Sequence, residues 1–205
     1  MLDLGAGRGA LTAPLAATGA RVVAVEINPE YAQSLRHRFA GVPNVSVVAG
    51  DLRRVPLPQR DFRVVANIPF DTTTGLLRRL LDPPGSLLVR ADLVVQCEAV
   101  RRPDPWWSAR YDFRRVRWIP AAAFRPPPAV DATLLVVERY ALPAGGEQAL
   151  WRWLTATTRS PERSVRAVLR GEVGPAALRA AGIDPRQPAG EVGPRQWRAL
   201  TVLIL

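Results

Sequence analysis

Four short apolar runs, each ending where a glycine or a polar residue breaks its character, constrain this chain more than any other feature. Residues 2–5 run into Gly5, 21–26 end in Glu26, 45–48 are followed by Gly50 and Asp51, and 62–66 deliver Asn67. Runs this short and rich in valine and leucine read as strands, and the stretches at 11–18, 29–39 and 72–81 between them read as helices. Strand alternating with helix predicts an α/β fold with a doubly wound, mainly parallel sheet. Three more candidates, at 92–97, 114–119 and 133–139, bring the strands to seven. The last two follow each other through a proline-rich loop, so the sheet is predicted to end in an antiparallel pair. In such a sheet the loops at the carboxyl ends of the strands converge on one crevice, where α/β proteins take their ligands.

The four loops carry suggestive chemistry. Asn67-Ile68-Pro69-Phe70 offers a flat amine two acceptors, the asparagine side-chain oxygen and the Ile68 carbonyl, with a proline to hold the turn and a ring to stack on a base. That set suits methylation of an adenine at N6, although Asn-x-Pro is also an ordinary exit from a strand. Glycines at 5, 7 and 9 let a ligand lie against bare backbone. They fit S-adenosylmethionine, and Gly5, Gly7 and Ala10 also satisfy the looser dinucleotide fingerprint. Glu26 is placed to accept both hydroxyls of a ribose, which either cofactor has. Asp51 separates them, because a carboxylate there can accept the amine of the cofactor's own adenine, for which a dinucleotide enzyme has no general need.

The segments LDLGAGRGALT (2–12), AVEIN (24–28), GDL (50–52), NIPF (67–70) and FRPPPAV (124–130) together resemble the rRNA adenine N6-methyltransferases. That superfamily contains the Erm enzymes, which modify 23S rRNA and confer macrolide-lincosamide-streptogramin B resistance, and the KsgA-type enzymes, which modify small-subunit rRNA. The resemblance spans nearly the whole chain, and NIPF and FRPPPAV are its specific parts. It implies a Rossmann-like seven-stranded S-adenosylmethionine-dependent methyltransferase fold with a small C-terminal helical domain. It further implies that Gly5, Gly7 and Gly9 face the methionine part of the cofactor, Glu26 its ribose and Asp51 its adenine, with Ile27, Leu52 and Asn67 also at the cofactor. Asn67 and the Ile68 carbonyl would hold the target amine, Pro69 would set the turn, and Phe70 and Phe124 would flank the flipped base. The family often has tyrosine where this chain has Phe70; stacking survives that change. The family also carries a stretch before the first strand, whereas this chain begins within the strand, and cofactor affinity is the property expected to feel the difference. Isoleucine at 68 and the small C-terminal domain lean toward the Erm group. The alternatives are KsgA-like dimethylation of small-subunit rRNA, a non-catalytic nucleic-acid-binding relative, and a nicotinamide-dependent enzyme.

Transfer from a sulfonium to a neutral amine needs orientation rather than a base, in keeping with the inventory. One histidine, His37, and one cysteine, Cys97, leave no Cys/His metal cluster and no disulfide framework. His37 reads as a surface residue, Cys97 as a buried thiol in the fifth strand. No apolar run approaches a membrane span and no export signal opens the chain, so a cytoplasmic monomer without metal is expected. The net charge of +10 comes from 28 basic residues, all arginine, against 18 acids. Such a balance favours a polyanionic partner. The densest patch, residues 101–125, interleaves arginines with Trp106, Trp107, Tyr111, Phe113, Trp118 and Phe124, a mixture suited to RNA. Arg101, Arg102, Arg110, Arg114 and Arg125 are the expected rRNA contacts, although arginines on a half-buried strand can also be merely solvated. Gly145 and Gly146 follow Pro143 in a linker. It divides a cofactor-binding catalytic domain at 1–140 from a basic helical domain at 141–205, with helices expected at 147–158, 175–181 and 194–203. In the family such a domain helps engage rRNA.

Overall fold

The computed structural model describes residues 1–69, 71–82, 86–99 and 103–205. By their contacts the residues fall into two compact units, Met1–Arg101 with Phe113–Glu138, and Arg102–Asp112 with Arg139–Leu205. The second unit thus joins a stretch from the first 140 residues to the C-terminal part of the chain.

The sheet has seven strands in the order β3-β2-β1-β4-β5-β7-β6. They are β1 (Leu2–Leu4), β2 (Val22–Glu26), β3 (Val45–Ala49), β4 (Phe62–Asn67), β5 (Leu88–Gln96), β6 (Tyr111–Ile119) and β7 (Ala132–Arg139). β1 to β5 pair in parallel, and β7 lies antiparallel beside β5 with Ala91 opposite Val137. This is the seven-stranded Rossmann-like sheet that the resemblance implies, with β7 inserted between β5 and β6. The order reverses at β1, which pairs with β2 on one side and β4 on the other. Gly5 and Asn67 thus flank the switch point, where such sheets open a ligand crevice.

The helices α1 (Thr12–Ala17), α2 (Pro29–Arg38) and α3 (Thr73–Leu81) occupy the expected places. α2 starts where it does because Asn28 Oδ1 accepts from the amides of Glu30 and Tyr31 at 2.9 and 3.2 Å and Pro29 has no amide to satisfy. α3 buries Leu76, Leu77, Leu80 and Leu81, a 3/4-spaced stripe that covers the sheet. β1 is buried along its length, and Leu4, Ala24, Val25, Val64 and Leu93 are almost wholly inaccessible. Cys97 differs from expectation: it lies one residue past β5 and is half-exposed, its amide donating to Asp131 O at 3.1 Å.

The second unit contains α5 (Gly146–Arg159), α6 (Val165–Val168), α7 (Pro175–Ala180) and α8 (Pro194–Ile204). It also contains α4 (Pro105–Arg110), a helix that the aromatic-rich stretch did not announce. Trp106 meets Trp151 edge-on with ring centroids 4.9 Å apart, and Trp153 packs near Trp197 at 6.4 Å. From α8, Arg198 donates to Ser108 O at 2.7 Å and lies 3.8 Å from the Tyr140 ring centroid. These contacts explain why 102–112 joins the C-terminal helices.

Candidate functional site

The crevice at the switch point is built from the ends of four adjacent strands. Gly5 leaves β1 with φ of +76°, and its amide and that of Ala6 both donate to Val25 O, at 2.9 and 3.0 Å. A Cβ at Gly5 would make only ordinary contact with Asn67 O, at 3.8 Å, so it is the left-handed φ and not a lack of space that favours glycine there. Gly7, also at positive φ, has open space where a side chain would stand. Gly9 departs from expectation. A Cβ there would lie 2.8 Å from Leu35 Cδ2 and 3.0 Å from the Phe39 ring, so position 9 is bare in order to seat the loop on α2, not to face the crevice.

Glu26 ends β2 and is 6% exposed. Its two oxygens are fixed from below: Oε2 accepts from the Gly7 amide at 2.7 Å and Oε1 from the Asn28 amide at 2.8 Å. Each oxygen keeps a second lone-pair site, so a vicinal diol remains a fitting ligand. The loop itself is anchored by a bond the sequence did not reveal, Thr12 Oγ1 to Asp3 Oδ2 at 2.6 Å beneath the glycines. Burial raises the Asp3 carboxyl above its ordinary 3.8, against the pull of that bond, with the nearby Glu26 charge pushing the same way.

Asp51, after β3, is held differently. Oδ1 accepts from the Arg53 amide and Nε at 2.8 and 3.0 Å, and Oδ2 from Nε and Nη2 at 3.0 and 2.7 Å. The side-chain bonds from Arg53, joined by its backbone amide, pull the carboxyl down to about 2. Four donor contacts fill the carboxylate, so an adenine amine reaches it only by displacing part of the Arg53 fork. The next residues are clamped from α3: Arg79 Nη1 donates to Leu52 O at 2.6 Å and Nη2 to Val55 O. Neither arginine was legible in advance, since each acts across a loop by its position alone.

Asn67 ends β4, opposite Val94, with an exposed side chain. Ile68 is buried and its amide donates to Val94 O at 3.2 Å. Pro69 O accepts from the Thr72 amide and hydroxyl at 3.0 and 2.9 Å, closing the turn. Neither the Asn67 side chain nor the Ile68 carbonyl has a hydrogen-bond partner among the described residues. Two uncommitted acceptors thus sit side by side at the crevice edge.

Gly5, Glu26, Ile27, Asp51, Leu52, Asn67 and Pro69 line one crevice, joined by Arg53; Gly7 and Gly9 do not. Its volume, about 180 Å³, is small, in keeping with Arg53 lying folded onto Asp51. These residues fit S-adenosylmethionine: bare backbone at Gly5, two carboxylates for ribose and adenine, and a neighbouring acceptor pair. Phe124 lies apart from that lining, half-exposed in the turn after β6, and Phe70, Arg101 and Arg102 are outside the described residues. Among the described residues no group of His, Cys, Asp and Glu could hold a metal ion.

Of the expected RNA-contacting arginines, Arg110 requires correction. It is fully buried, ion-paired with Glu147 and stacked near the Trp106 and Tyr111 rings at 5.7 and 5.0 Å, so it cannot reach a nucleic acid. Arg114 is exposed and pairs with Glu138 at 2.7 Å, and Arg125 is exposed. Around Arg114, residues 114–118 of β6 are all exposed, Trp118 at 61%, so this stretch lacks the alternate burial of the half-buried strand that was the competing reading.

The model of one protein family, ribosomal RNA adenine dimethylase, matches residues 1–104. The mycinamicin-resistance protein MyrB of Micromonospora griseorubida is 33% identical across 98% of this chain and 68% of its own length. The ribosomal RNA small subunit methyltransferase A of Synechococcus sp. (strain JA-2-3B'a(2-13)) is 29% identical across 100% of this chain and 80% of its own. Among solved structures, the 23S rRNA methyltransferase ErmE superposes with a TM-score of 0.73 at 25% identity, covering 99% of this chain and 89% of that one. A dimethyladenosine transferase from Plasmodium falciparum shares the fold, with a TM-score of 0.67 at 17% identity over 98% and 88%.

Proposed function

Because the chain belongs to the ribosomal RNA adenine dimethylase family and is an rRNA adenine N6-methyltransferase, we propose that its target is an adenine of 23S rRNA and its consequence resistance to macrolide-type antibiotics. The observation that carries the reading is the pair of uncommitted acceptors, Asn67 Oδ1 and Ile68 O, at the end of β4 beside Gly5. The likeness to ErmE and to a mycinamicin-resistance protein, and the isoleucine at 68, support 23S rRNA over the small subunit. The nicotinamide alternative lapses with family membership.

S-adenosylmethionine, when bound, supplies a methyl group already activated on sulfonium. The chain's own work is then to hold and aim. Glu26 offers its remaining lone pairs to the ribose hydroxyls from a carboxylate that backbone amides have already fixed. Asp51 would hold the cofactor's adenine amine once Arg53 yields, with Ile27 and Leu52 lining the same crevice. Asn67 Oδ1 and Ile68 O would accept hydrogen bonds from the two N–H groups of the target amine, holding its nitrogen lone pair out of conjugation with the base. Pro69 holds that turn, and Phe70 and Phe124 are the aromatic faces for the extruded base. Arg114 and Arg125, with Arg101 and Arg102, are the proposed phosphate contacts, and residues 141–205 the second RNA-engaging domain. A monomer acting in the cytoplasm suits this role; among the described residues no helix is long and apolar enough to cross a membrane.

The second reading, KsgA-like dimethylation of small-subunit rRNA, is supported by the small-subunit methyltransferases that align over this whole chain. Incubation with methyl-labelled S-adenosylmethionine and either protein-free 23S rRNA or small-subunit particles separates the two. Labelled N6-methyladenine in 23S rRNA is the expected result. Label confined to the small subunit overturns the 23S assignment, and label in neither argues for a binding-only relative.

A further inference from the structure

We propose that residues 163–175 of the C-terminal unit form a groove that grips the phosphate backbone of the RNA substrate, with Arg163, Arg166 and Arg170 as its contacts. The groove encloses about 600 Å³, against about 180 Å³ in the crevice at the strand ends. It is shaped by the single turn of α6, whose hydroxyl-bearing neighbour Ser164 accepts the amides of Ala167 and Val168 through its carbonyl, at 2.9 and 3.0 Å. That turn carries Arg166, while Arg163 lies just before it and Arg170 just after, and all three line the groove.

All three arginines are exposed, and none has a side-chain partner among the described residues. Other arginines of this unit are committed: Arg110 to Glu147, Arg152 to Glu172, Arg198 to Ser108 O. The single acid in the groove lining, Glu172, is already shared, its Oε2 taking Trp153 Nε1 at 3.2 Å and Arg152 at 3.4 Å. Three like charges around one groove repel unless a counter-charge bridges them. Guanidinium forks match phosphate oxygens in pairs. No large exposed apolar side chain lines the groove, so neither a base nor an apolar peptide face finds a seat. A phosphodiester backbone answers every one of these features. The identity of the polyanion rests on the rRNA reading above; the presence of an anion-binding groove does not.

The test uses the full chain and a charge-matched pair of variants. One carries Arg163→Gln, Arg166→Gln and Arg170→Gln. The other carries Arg179→Gln, Arg186→Gln and Arg195→Gln, exposed arginines of the same unit that lie outside the groove. Affinity for a protein-free 23S rRNA fragment is measured without cofactor over a range of salt, alongside thermal midpoints. The groove variant should bind at least tenfold more weakly at low salt and flatten the slope of log affinity against log salt by roughly 2, since each phosphate contact is worth about 0.7 to 0.9. Its midpoint should match the parent's, and the control should change the slope by less than half as much. If the triple variant fails to fold, the three single variants replace it, each expected to lower the slope by roughly 0.7. Equal slope changes in both variants, an unchanged groove variant, or competition by polyglutamate as strong as that by RNA would overturn the proposal. A parent chain that binds RNA through these arginines yet leaves 23S rRNA unmethylated refutes the 23S reading and leaves the groove standing.

Discussion

The crevice at the strand ends and the stretch 101–125 look equally rich in chemistry as sequence, yet the fold treats their side chains in opposite ways. In the crevice, Gly5, Glu26, Asp51 and Asn67 all arrive at one edge, because parallel strands in register deliver their last residues to the same side. In the stretch, arginines and aromatics that read as one continuous surface separate. Trp106, Trp107, Arg110 and Tyr111 go into the core of the C-terminal unit, while Arg114 to Trp118 stay in solvent. A polar residue that ends an apolar run has its place dictated by topology. A mixed arginine-aromatic run has no such rule, since a guanidinium can stack inside a unit as well as outside it.

The sharpest way to break this comparison is at Asn67. Asn67→Ala should lower single-turnover methyl transfer by about 10² or more while RNA affinity stays near that of the parent. Near-normal turnover would remove the acceptor pair from the mechanism. Next comes the contrast between two arginines of the stretch. Arg110→Ala strands Glu147 and empties a buried site, so denaturant unfolding should register a loss of roughly 3 kcal/mol, whereas Arg114→Ala should cost at most about 0.5 kcal/mol and weaken RNA binding instead. If the two variants behaved alike, the division of the stretch would be wrong.

Within the crevice the two acidic caps differ, and cofactor titration can resolve them. Glu26 is held by backbone amides and poised, so Glu26→Ala should weaken S-adenosylmethionine by about 10- to 100-fold. Asp51 must first shed Arg53, so Asp51→Ala should weaken it by only about tenfold; equal losses would mean the Arg53 fork does not compete. The smallest effect concerns pH. Burial holds the Asp3 carboxyl above its ordinary 3.8, so the folded state keeps this proton longer than the unfolded chain does. The parent should therefore lose stability as pH rises from about 3.8 through the raised value. Asp3→Asn should flatten that part of the profile, and an unaltered slope would place the titration elsewhere.

The strands, the helices α1 to α3 and the carboxyl-end residues Gly5, Glu26, Asp51 and Asn67 were readable from local pattern, because each follows from periodicity, capping or the end of an apolar run. So was α2, whose Asn-Pro start is a local signal. What lay beyond reading were relations between residues that only a closed chain brings together. Gly9 is bare because Leu35 and Phe39 of α2 press against it, Leu52 is clamped from α3 by Arg79, and Arg110 is drawn inward by Glu147 from 37 positions away along the chain. α4 escaped notice because six residues rich in tryptophan carry no helical stripe, although Asp104 caps it and Pro105 starts it; packing against Trp151 and α8 supports so short a helix. Local signals identify which residues can do chemistry, since strand ends and caps need only their neighbours. Burial and charge pairing belong to the tertiary structure, because their energies depend on groups that are distant in sequence and near in space.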